Sequence, residues 1–432
     1  MVLMFLILFG LLALGVPIGV ALGSSAVVYW LMFTNMNPSV VPAVFFEFIN
    51  SYTLMAAPFF IFAGMLMERS KLLDQIFLFF DSVFGWVRGG MGVAGLATAV
   101  IFAALTGSAV AAASALALIV VPRMVALGHT KEYSAGLVCA GGTLAQLIPP
   151  SVWLIIYGVI TETSVASLFF GGMIPGLILA GLLIILNLIL SRNQPIRLTT
   201  FDWKLVWHRF KHSLPGLGLP VVILGGLYGG VFTPTEAGAA ACAYAIIYGY
   251  IANKGRFTHT LIEATKPAMK TTAMLFLLLG CVGIFQSLAA NQYWPQDIAQ
   301  WAMGLGLSKY SFLFAYMAVG LVLGCFLDGL AIIALTVPVI FPIGMALGIN
   351  PIHLGILLVI NCQLGTITPP LGLNVYAVSG VTKLPVASVL RATMPFFFVV
   401  LVFMIAMIFT PVLSTWLPTM VVKPVHFAGL LG

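Results

Sequence analysis

Residues 141–158 read GGTLAQLIPPSVWLIIYG, and residues 361–378 read NCQLGTITPPLGLNVYAV. Each stretch holds a Pro-Pro pair, at 149–150 and at 369–370, inside an apolar run of membrane-spanning length. Adjacent prolines remove two backbone donors and clash with the preceding turn, so each run is predicted to be a helix broken in its middle. The two pairs lie 220 positions apart (149 and 369).

The same offset recurs on both sides of the proline pairs. Further matches at 220 are Pro122 with Pro342, Ala126-Leu127-Gly128 with Ala346-Leu347-Gly348, Leu144 with Leu364, and Pro175 with Pro395. An offset of 221 aligns Val165-Ala166-Ser167 with Val386-Ala387-Ser388. We interpret the chain as two related halves, and interrupted spans at matching positions of two halves indicate the binding site of a transporter.

The composition predicts an all-α polytopic membrane protein. Of the 432 residues, 62% are hydrophobic and 7% are charged, whereas a soluble domain has about 25% charged residues. The net charge of +7 is spread over short loops, which indicates membrane orientation and not nucleic-acid binding. The five cysteines lie inside apolar runs without a C-x-x-C motif, and are predicted to be buried thiols instead of disulfides or metal ligands.

The first half is predicted to cover residues 1–190. Its elements are spans over 3–32 and 52–68, a re-entrant hairpin over 90–122, a broken span over 133–160 and a span over 168–190. A hairpin is favoured over one crossing because both flanks are basic, with Arg88 before it and Arg123 after it, and basic loops stay cytoplasmic. The same rule predicts a cytoplasmic N-terminus.

Residues 191–232 are predicted to join the halves. Within them, 191–213 carries basic and aromatic residues and is predicted to be an amphipathic connector at the cytoplasmic interface, followed by an extra span over 214–232. The second half, 233–416, is predicted to contain spans over 237–252 and 271–289, a hairpin over 310–345, a broken span over 353–380 and a span over 392–416, with a tail over 417–432. The single extra span inverts the second half, so the halves are predicted to be inverted-topology repeats and the C-terminus periplasmic.

A helix broken in mid-membrane leaves backbone N–H and C=O groups without partners. Free carbonyls suit Na⁺, and the N-termini of half-helices suit an anionic substrate. Pairing each hairpin tip with the broken span of its own half predicts two Na⁺ sites. The first comprises Thr106, Gly107, Ser108, Gly141, Gly142, Thr143, Ile148 and Pro149, and the second Asp328, Gly329, Gln363, Gly365, Thr366, Thr368 and Pro369.

Each polar candidate has a structural alternative. Asp328 is predicted to bind a cation or to cap the returning hairpin helix, and Thr106 and Ser108 to bind a cation or the local backbone. Candidates for substrate contact beside the breaks, each also suited to a structural role, are Gln146, Ser151, Tyr157, Asn374 and Tyr376. Glu236 is predicted to begin a helix and not to bind a ligand.

Four motifs resemble the large membrane subunit of tripartite ATP-independent periplasmic (TRAP) transporters. They are ALTGSAVAAASA (104–115), GGTLAQLIPPS (141–151), VFTPTEAGA (231–239) and NCQLGTITPPLGLN (361–374), and the resemblance covers nearly the whole chain. It implies an elevator-type, Na⁺-driven importer in the bacterial inner membrane. Its substrate would be an organic acid such as a C4-dicarboxylate or sialic acid, delivered by a periplasmic binding protein. It also implies a small four-helix membrane subunit, expected as a separate chain because this one begins with the large-subunit pattern.

Other function classes fit the sequence less well. An intramembrane enzyme would need a catalytic motif, but neither H-E-x-x-H nor G-x-S-x-G is present, and no Walker motif or cofactor motif suggests ATP or an organic cofactor. A channel is an alternative because broken helices and re-entrant hairpins also build pores. A Na⁺/carboxylate carrier that needs no binding protein is the closer alternative.

Overall fold

The computed structural model describes residues 2–34, 37–70, 72–106, 108–192, 194, 197–253, 255, 257–304, 306–369 and 372–421. Its regular elements are helices, which confirms the all-α prediction. Those of the first half are α1 (Val2–Ala13), α2 (Ile18–Phe33), α3 (Val40–Ile49), α4 (Ala56–Arg69), α5 (Leu72–Phe84), α6 (Gly90–Thr106), α7 (Ala109–Ala126), α8 (Lys131–Thr143), α9 (Val152–Thr161) and α10 (Val165–Ser191). After α11 (Trp203–Tyr228) follow α12 (Pro234–Ala252), α13 (Phe257–Asn291), α14 (Trp294–Gly304), α15 (Lys309–Gly324), α16 (Gly329–Ala346), α17 (Pro351–Gly365), α18 (Leu373–Thr382), α19 (Val386–Phe409) and α20 (Val412–Val421). Among the described residues, six helices are long and apolar enough to cross a membrane. The count of candidate spans rises to eight if the bent pairs α3–α4 and α14–α15 are each taken as one span.

The helix boundaries repeat at the offset found in the sequence. Helices α7 and α16 have 18 residues each and start at 109 and 329, and α9 and α18 have 10 residues each and start at 152 and 373. Each half therefore contains a hairpin (α6–α7 and α15–α16), a broken span (α8–α9 and α17–α18) and a long closing helix (α10 and α19). The predicted fold of two inverted-topology repeats is confirmed.

Helices of each half pack against helices of the other half. Helix α7 contacts α18, and its counterpart α16 contacts α9; likewise α8 contacts α19, and α17 contacts α10. Helices α4 and α12 pair in the same way as α13 and α2. Reciprocal contacts of this kind characterise a two-fold arrangement. The broken spans therefore lie in the centre of the molecule, where residues of both halves surround them.

The helix predicted over residues 3–32 is two helices. Helix α1 ends in a Schellman motif, in which Val16 N–H donates to the Leu11 carbonyl at 3.0 Å and Gly15 N–H to the Leu12 carbonyl at 2.9 Å. Gly15 has φ +80°, which glycine adopts without strain, and Pro17 then precedes α2. This pair of local signals stops a helix even though the surrounding residues are uniformly apolar.

Other boundaries also differ from the prediction. Helix α3 lies between the spans predicted over 3–32 and 52–68, and it meets the α4 segment at a bend of 59°. Helix α5 occupies the basic segment 69–88, where its apolar face is buried. The span predicted over 271–289 is part of the 35-residue α13, and α14 lies in the segment before the second hairpin. The span predicted over 392–416 is α19 and α20, which Thr410 and Pro411 separate, and α20 continues into the predicted tail as far as Val421.

The start of α12 agrees with its sequence signal. Thr233 Oγ1 accepts from Glu236 N–H at 3.3 Å, and Glu236 Oε2 accepts from Thr233 N–H at 2.8 Å, which is a complete capping box. These hydrogen bonds from Thr233 lower the pKa of the Glu236 carboxyl group. Glu236 thus begins a helix, as predicted.

The connector predicted over 191–213 does not form a separate element. Helix α11 begins after Asp202, whose Oδ1 accepts from Lys204 N–H at 2.9 Å, and continues into the predicted extra span without a break. Its basic part packs against α5, where Arg209 Nη1 donates to Asp81 Oδ2 at 3.0 Å and to the Leu78 carbonyl at 2.9 Å. The prediction of a separate connector is therefore wrong, because residues 203–213 are the first part of α11 and pack against α5.

We expect Arg209→Ala to lower the thermal stability of the chain. The substitution leaves the Asp81 carboxylate, whose side chain is 10% exposed, without its cation, and the expected cost is about 1–3 kcal/mol. Thermal unfolding of the purified chain in detergent measures the effect. Lys204→Ala on the exposed part of the same helix is the control, and equal unfolding temperatures for the two variants would contradict a stabilising role of the ion pair.

Candidate functional site

The first hairpin turns at Ser108, the N-cap of α7. Its Oγ accepts from Ala111 N–H at 3.3 Å, so the hydroxyl group caps the helix and can still donate to another ligand. Thr106 is the last residue of α6, and Gly107 lies outside the described residues. Of the three residues predicted at this tip, Ser108 is the one whose side-chain contacts the structure defines.

The second hairpin turns at Asp328, the N-cap of α16. Its Oδ2 accepts from Leu330 N–H at 3.2 Å, and the carboxylate is partly buried. Gly329 follows, and a Cβ at this position would overlap the indole ring of Trp153. The tip of the second hairpin is therefore seated on the broken span of the first half, a contact that the sequence did not predict.

The first broken span is interrupted between α8 and α9. Leu147 and Ile148 N–H groups both donate to the Leu144 carbonyl at 3.2 Å, and Ser151 then caps α9 by accepting from Leu154 N–H at 3.3 Å. Residues buried along this segment include Thr143, whose hydroxyl donates to the Ala140 carbonyl, and the predicted site residues Gly141, Gly142, Gln146 and Ile148, with Pro149 beside them. The break between α8 and α9 covers residues 144–151 and includes the Pro-Pro pair.

The second broken span contains the larger set of polar side chains. Thr366 Oγ1 donates to the Gln363 carbonyl at 2.7 Å and Thr368 Oγ1 to the Leu364 carbonyl at 2.6 Å, so both hydroxyl oxygens keep lone pairs for a ligand. The Gln363 amide is fully buried, and within the described chain neither its Oε1 nor its Nε2 has a partner. Buried polar atoms normally have partners, so an unpaired amide here is consistent with a site for a ligand or water. Pro369 is exposed, and Gly365 packs against Gly324 of α15.

Two further candidates join the halves. Tyr157 is fully buried, and its hydroxyl donates to the Pro351 carbonyl at 2.7 Å, from α9 to the start of α17. Asn374 is fully buried and its Nδ2 donates to the Cys139 carbonyl at 3.4 Å, from α18 to α8. Tyr376, in contrast, is 46% exposed. These geometries place Tyr157 and Asn374 at contacts between the repeats.

One cavity of about 130 Å³ brings both hairpin tips together. We call one part of its surface the hairpin lining, which consists of Ser108, Ala109, Val110, Ala111, Gln146, Val152, Trp153, Asp328 and Leu330. The rest is the α4/α13 lining, which consists of Ile61, Met65, Glu68, Thr271 and Leu275. Ser108, Gln146 and Asp328 were predicted from the sequence. Trp153 and the α4/α13 lining were not, and the only signal for the latter was an acid, Glu68, at the end of an apolar run.

The described lining of the cavity contains three helix N-termini and two carboxylates, those of Glu68 and Asp328, but no basic side chain. It includes the first turn of α7, of α9 and of α16, beginning at Ala109, Val152 and Gly329. Free N–H groups and the helix dipole give each of these ends partial positive charge. No Lys or Arg is present among the described residues that line the cavity. The helix ends therefore attract an anion, whereas the two carboxylates attract a cation.

Comparison with known proteins identifies the family. The model described as "Tripartite ATP-independent periplasmic transporter, DctM component" matches residues 5–413. The chain belongs to this family. The C4-dicarboxylate TRAP transporter large permease protein DctM of Vibrio cholerae is 37% identical over 98% of both chains. The sialic acid TRAP transporter large permease protein SiaM of the same species is 30% identical over 89% of this chain and 91% of that protein.

Two further comparisons concern a fused relative and a solved structure of similar fold. The isethionate TRAP transporter permease protein DctMQ of Oleidesulfovibrio alaskensis is 32% identical over 98% of this chain and 66% of that protein. The crystal structure of the Alcanivorax borkumensis YdaH transporter, described as having an unusual topology, superimposes with a TM-score of 0.64 over 86% of this chain and 87% of that one, at 14% identity. From the family match, this chain is a multi-pass membrane subunit of a TRAP transporter and takes part in substrate import, as its motifs predict.

Proposed function

We propose that the chain imports an organic acid anion together with Na⁺ in the bacterial inner membrane. A periplasmic binding protein delivers the anion, and a separate four-helix membrane subunit completes the complex. The observation that carries the proposal is the cavity in which both hairpin tips, Ser108 and Asp328, meet at the N-termini of three helices. No ATP or organic cofactor is required.

The anion would bind to the helix ends, and Na⁺ to the hairpin tips and broken spans. Helix N-termini bind carboxylates through backbone N–H groups. The C4-dicarboxylate class is the first choice because a relative with that substrate in its name is 37% identical, and sialic acid is the second. Asp328 and the lone pairs of Thr366 and Thr368 supply oxygen ligands for Na⁺.

The Na⁺ gradient is a sufficient energy source. One net charge moving across 100 mV provides about 2.3 kcal/mol, and each Na⁺ adds about 1.4 kcal/mol per tenfold gradient. Two Na⁺ with one monovalent anion such as sialic acid therefore supply roughly 5 kcal/mol, which supports an accumulation of several-thousand-fold, and a divalent C4-dicarboxylate needs a third Na⁺ to move the same net charge.

The two linings suggest an elevator movement. The hairpins and broken spans would move as one body against α4 and α13, which pack on α2, α3 and α12. The anion would then pass from a periplasmic to a cytoplasmic position. In this arrangement the N-terminus is cytoplasmic and the C-terminus periplasmic.

Uptake into proteoliposomes tests the proposal. The vesicles contain this chain and its small subunit, and labelled succinate or sialic acid is added outside with the cognate binding protein, with or without an inward Na⁺ gradient. We expect saturable uptake that requires both the gradient and the binding protein. Uptake that ignores Na⁺ would refute Na⁺ coupling, and uptake without the binding protein would favour the independent Na⁺/carboxylate carrier. Non-saturable flux would favour a channel.

A further inference from the structure

The α4/α13 lining belongs to a different part of the molecule from the hairpins. Residues 61, 65 and 68 share one face of α4, and Thr271 and Leu275 share one face of α13, because residues three or four positions apart are neighbours on a helix. The two helices pack chiefly on each other and on α2, α3 and α12. An anion held by the hairpin lining therefore faces a surface that does not belong to the hairpins.

Glu68 gives that surface a negative charge. It is partly buried, it lines the cavity, and within the described chain its carboxylate forms no ion pair. The neighbouring Arg69 is exposed. The other acid of the cavity, Asp328, caps α16 and lies in the hairpin lining. An anion held by the hairpins is therefore close to Glu68 only when the hairpins lie beside this end of α4, whereas Asp328 moves with the hairpins.

The flanking charges indicate which side of the membrane this is. Glu68 is followed by Arg69, and Thr271 is preceded by Lys270. Basic residues at the ends of spanning helices mark the cytoplasmic side. With this orientation, the cavity lies at the cytoplasmic end of α4 and beside the part of α13 that follows Lys270.

We infer that Glu68 promotes release of the anion into the cytoplasm by repelling it in the inward-facing state. The inference rests on the proposed function. Like charges in a partly buried site repel more strongly than in water, because the effective dielectric constant is lower. In the outward-facing state the hairpins would have moved away from the end of α4, so Glu68 would no longer affect binding. Glu68 therefore lowers the affinity for the anion on the cytoplasmic side only, and it is not part of the anion site.

The test compares apparent affinities on the two sides. The chain and its small subunit are reconstituted in one orientation, and Glu68→Gln, which keeps the size and removes the charge, is compared with wild type. Counterflow with succinate inside the vesicles gives the cytoplasmic half-saturation concentration, and uptake of succinate delivered by the binding protein gives the periplasmic one. We expect Glu68→Gln to lower the cytoplasmic value about five- to tenfold and to slow net uptake, with the periplasmic value unchanged.

Two control variants separate charge from structure. Glu68→Asp keeps the charge and should resemble wild type, and Glu263→Gln removes a carboxylate from α13 that does not line the cavity. Equal shifts on both sides, no shift, a shift shared by Glu68→Asp, or a weaker dependence on Na⁺ would overturn the inference. If wild type itself shows no Na⁺-driven uptake, the proposed function fails and the inference with it. If wild-type uptake is intact and Glu68→Gln behaves like wild type, the inference alone fails.

Discussion

Asp328→Asn is expected to raise the Na⁺ concentration for half-maximal uptake at least tenfold, with little change in thermal stability. Asparagine caps a helix as well as aspartate does, so the hydrogen bond to Leu330 N–H is retained. The substitution removes one of the two carboxylate charges that line the cavity and leaves that of Glu68, and a tenfold effect corresponds to about 1.4 kcal/mol. The Na⁺ dependence of uptake in proteoliposomes and thermal unfolding in detergent measure the two properties separately.

A second aspartate provides a matched control. Asp202 also caps a helix, accepting from Lys204 N–H at 2.9 Å, but it is exposed and does not line the cavity. Asp202→Asn should leave Na⁺ dependence unchanged. Asp328→Ala should combine the loss of Na⁺ affinity with a loss of about 1 kcal/mol of stability from the missing cap. An unchanged Na⁺ dependence in Asp328→Asn would assign Asp328 the capping role alone.

The features that the sequence predicted well are those with local causes. Proline pairs break helices wherever they occur, so residues 149–150 identify the first break without knowledge of its neighbours. Asp328 and Ser108 are typical N-cap residues beside small residues, and both turn a hairpin. The repeat made these signals stronger, because each half supports the interpretation of the other.

The features that it missed depend on contacts between distant residues. Glu68 and Asp328 are far apart in the chain and reach one cavity only because α4 packs beside the hairpins. The contact of Gly329 with Trp153 depends on the exchange of partners between the halves. Apolar periodicity does not encode such pairings, since almost every face of these helices is apolar. The early end of α1 is different, because Gly15 and Pro17 are local signals that the uniform hydrophobicity obscured.

Gly324→Ala is expected to destabilise the second hairpin by about 1–3 kcal/mol. A Cβ at Gly324 would lie 2.7 Å from the backbone Cα atom of Gly365, and rotation of a side chain cannot relieve this overlap. The methyl group must separate α15 from α17 next to the break at Thr366, so both the stability and the geometry of the proposed second Na⁺ site should suffer. Thermal unfolding and the Na⁺ dependence of uptake measure these effects.

Gly181→Ala is the control for the loss of a glycine. Gly181 lies within α10, and a Cβ there would meet nothing within 4 Å. Alanine is favoured over glycine inside a helix by roughly 0.5–1 kcal/mol, so this substitution should leave stability equal or higher. Opposite signs for the two substitutions would follow from close backbone packing at Gly324. Equal stability of the Gly324→Ala and Gly181→Ala variants would contradict this prediction. It would mean that α15 and α17 separate without cost and that their contact does not fix the position of the second hairpin.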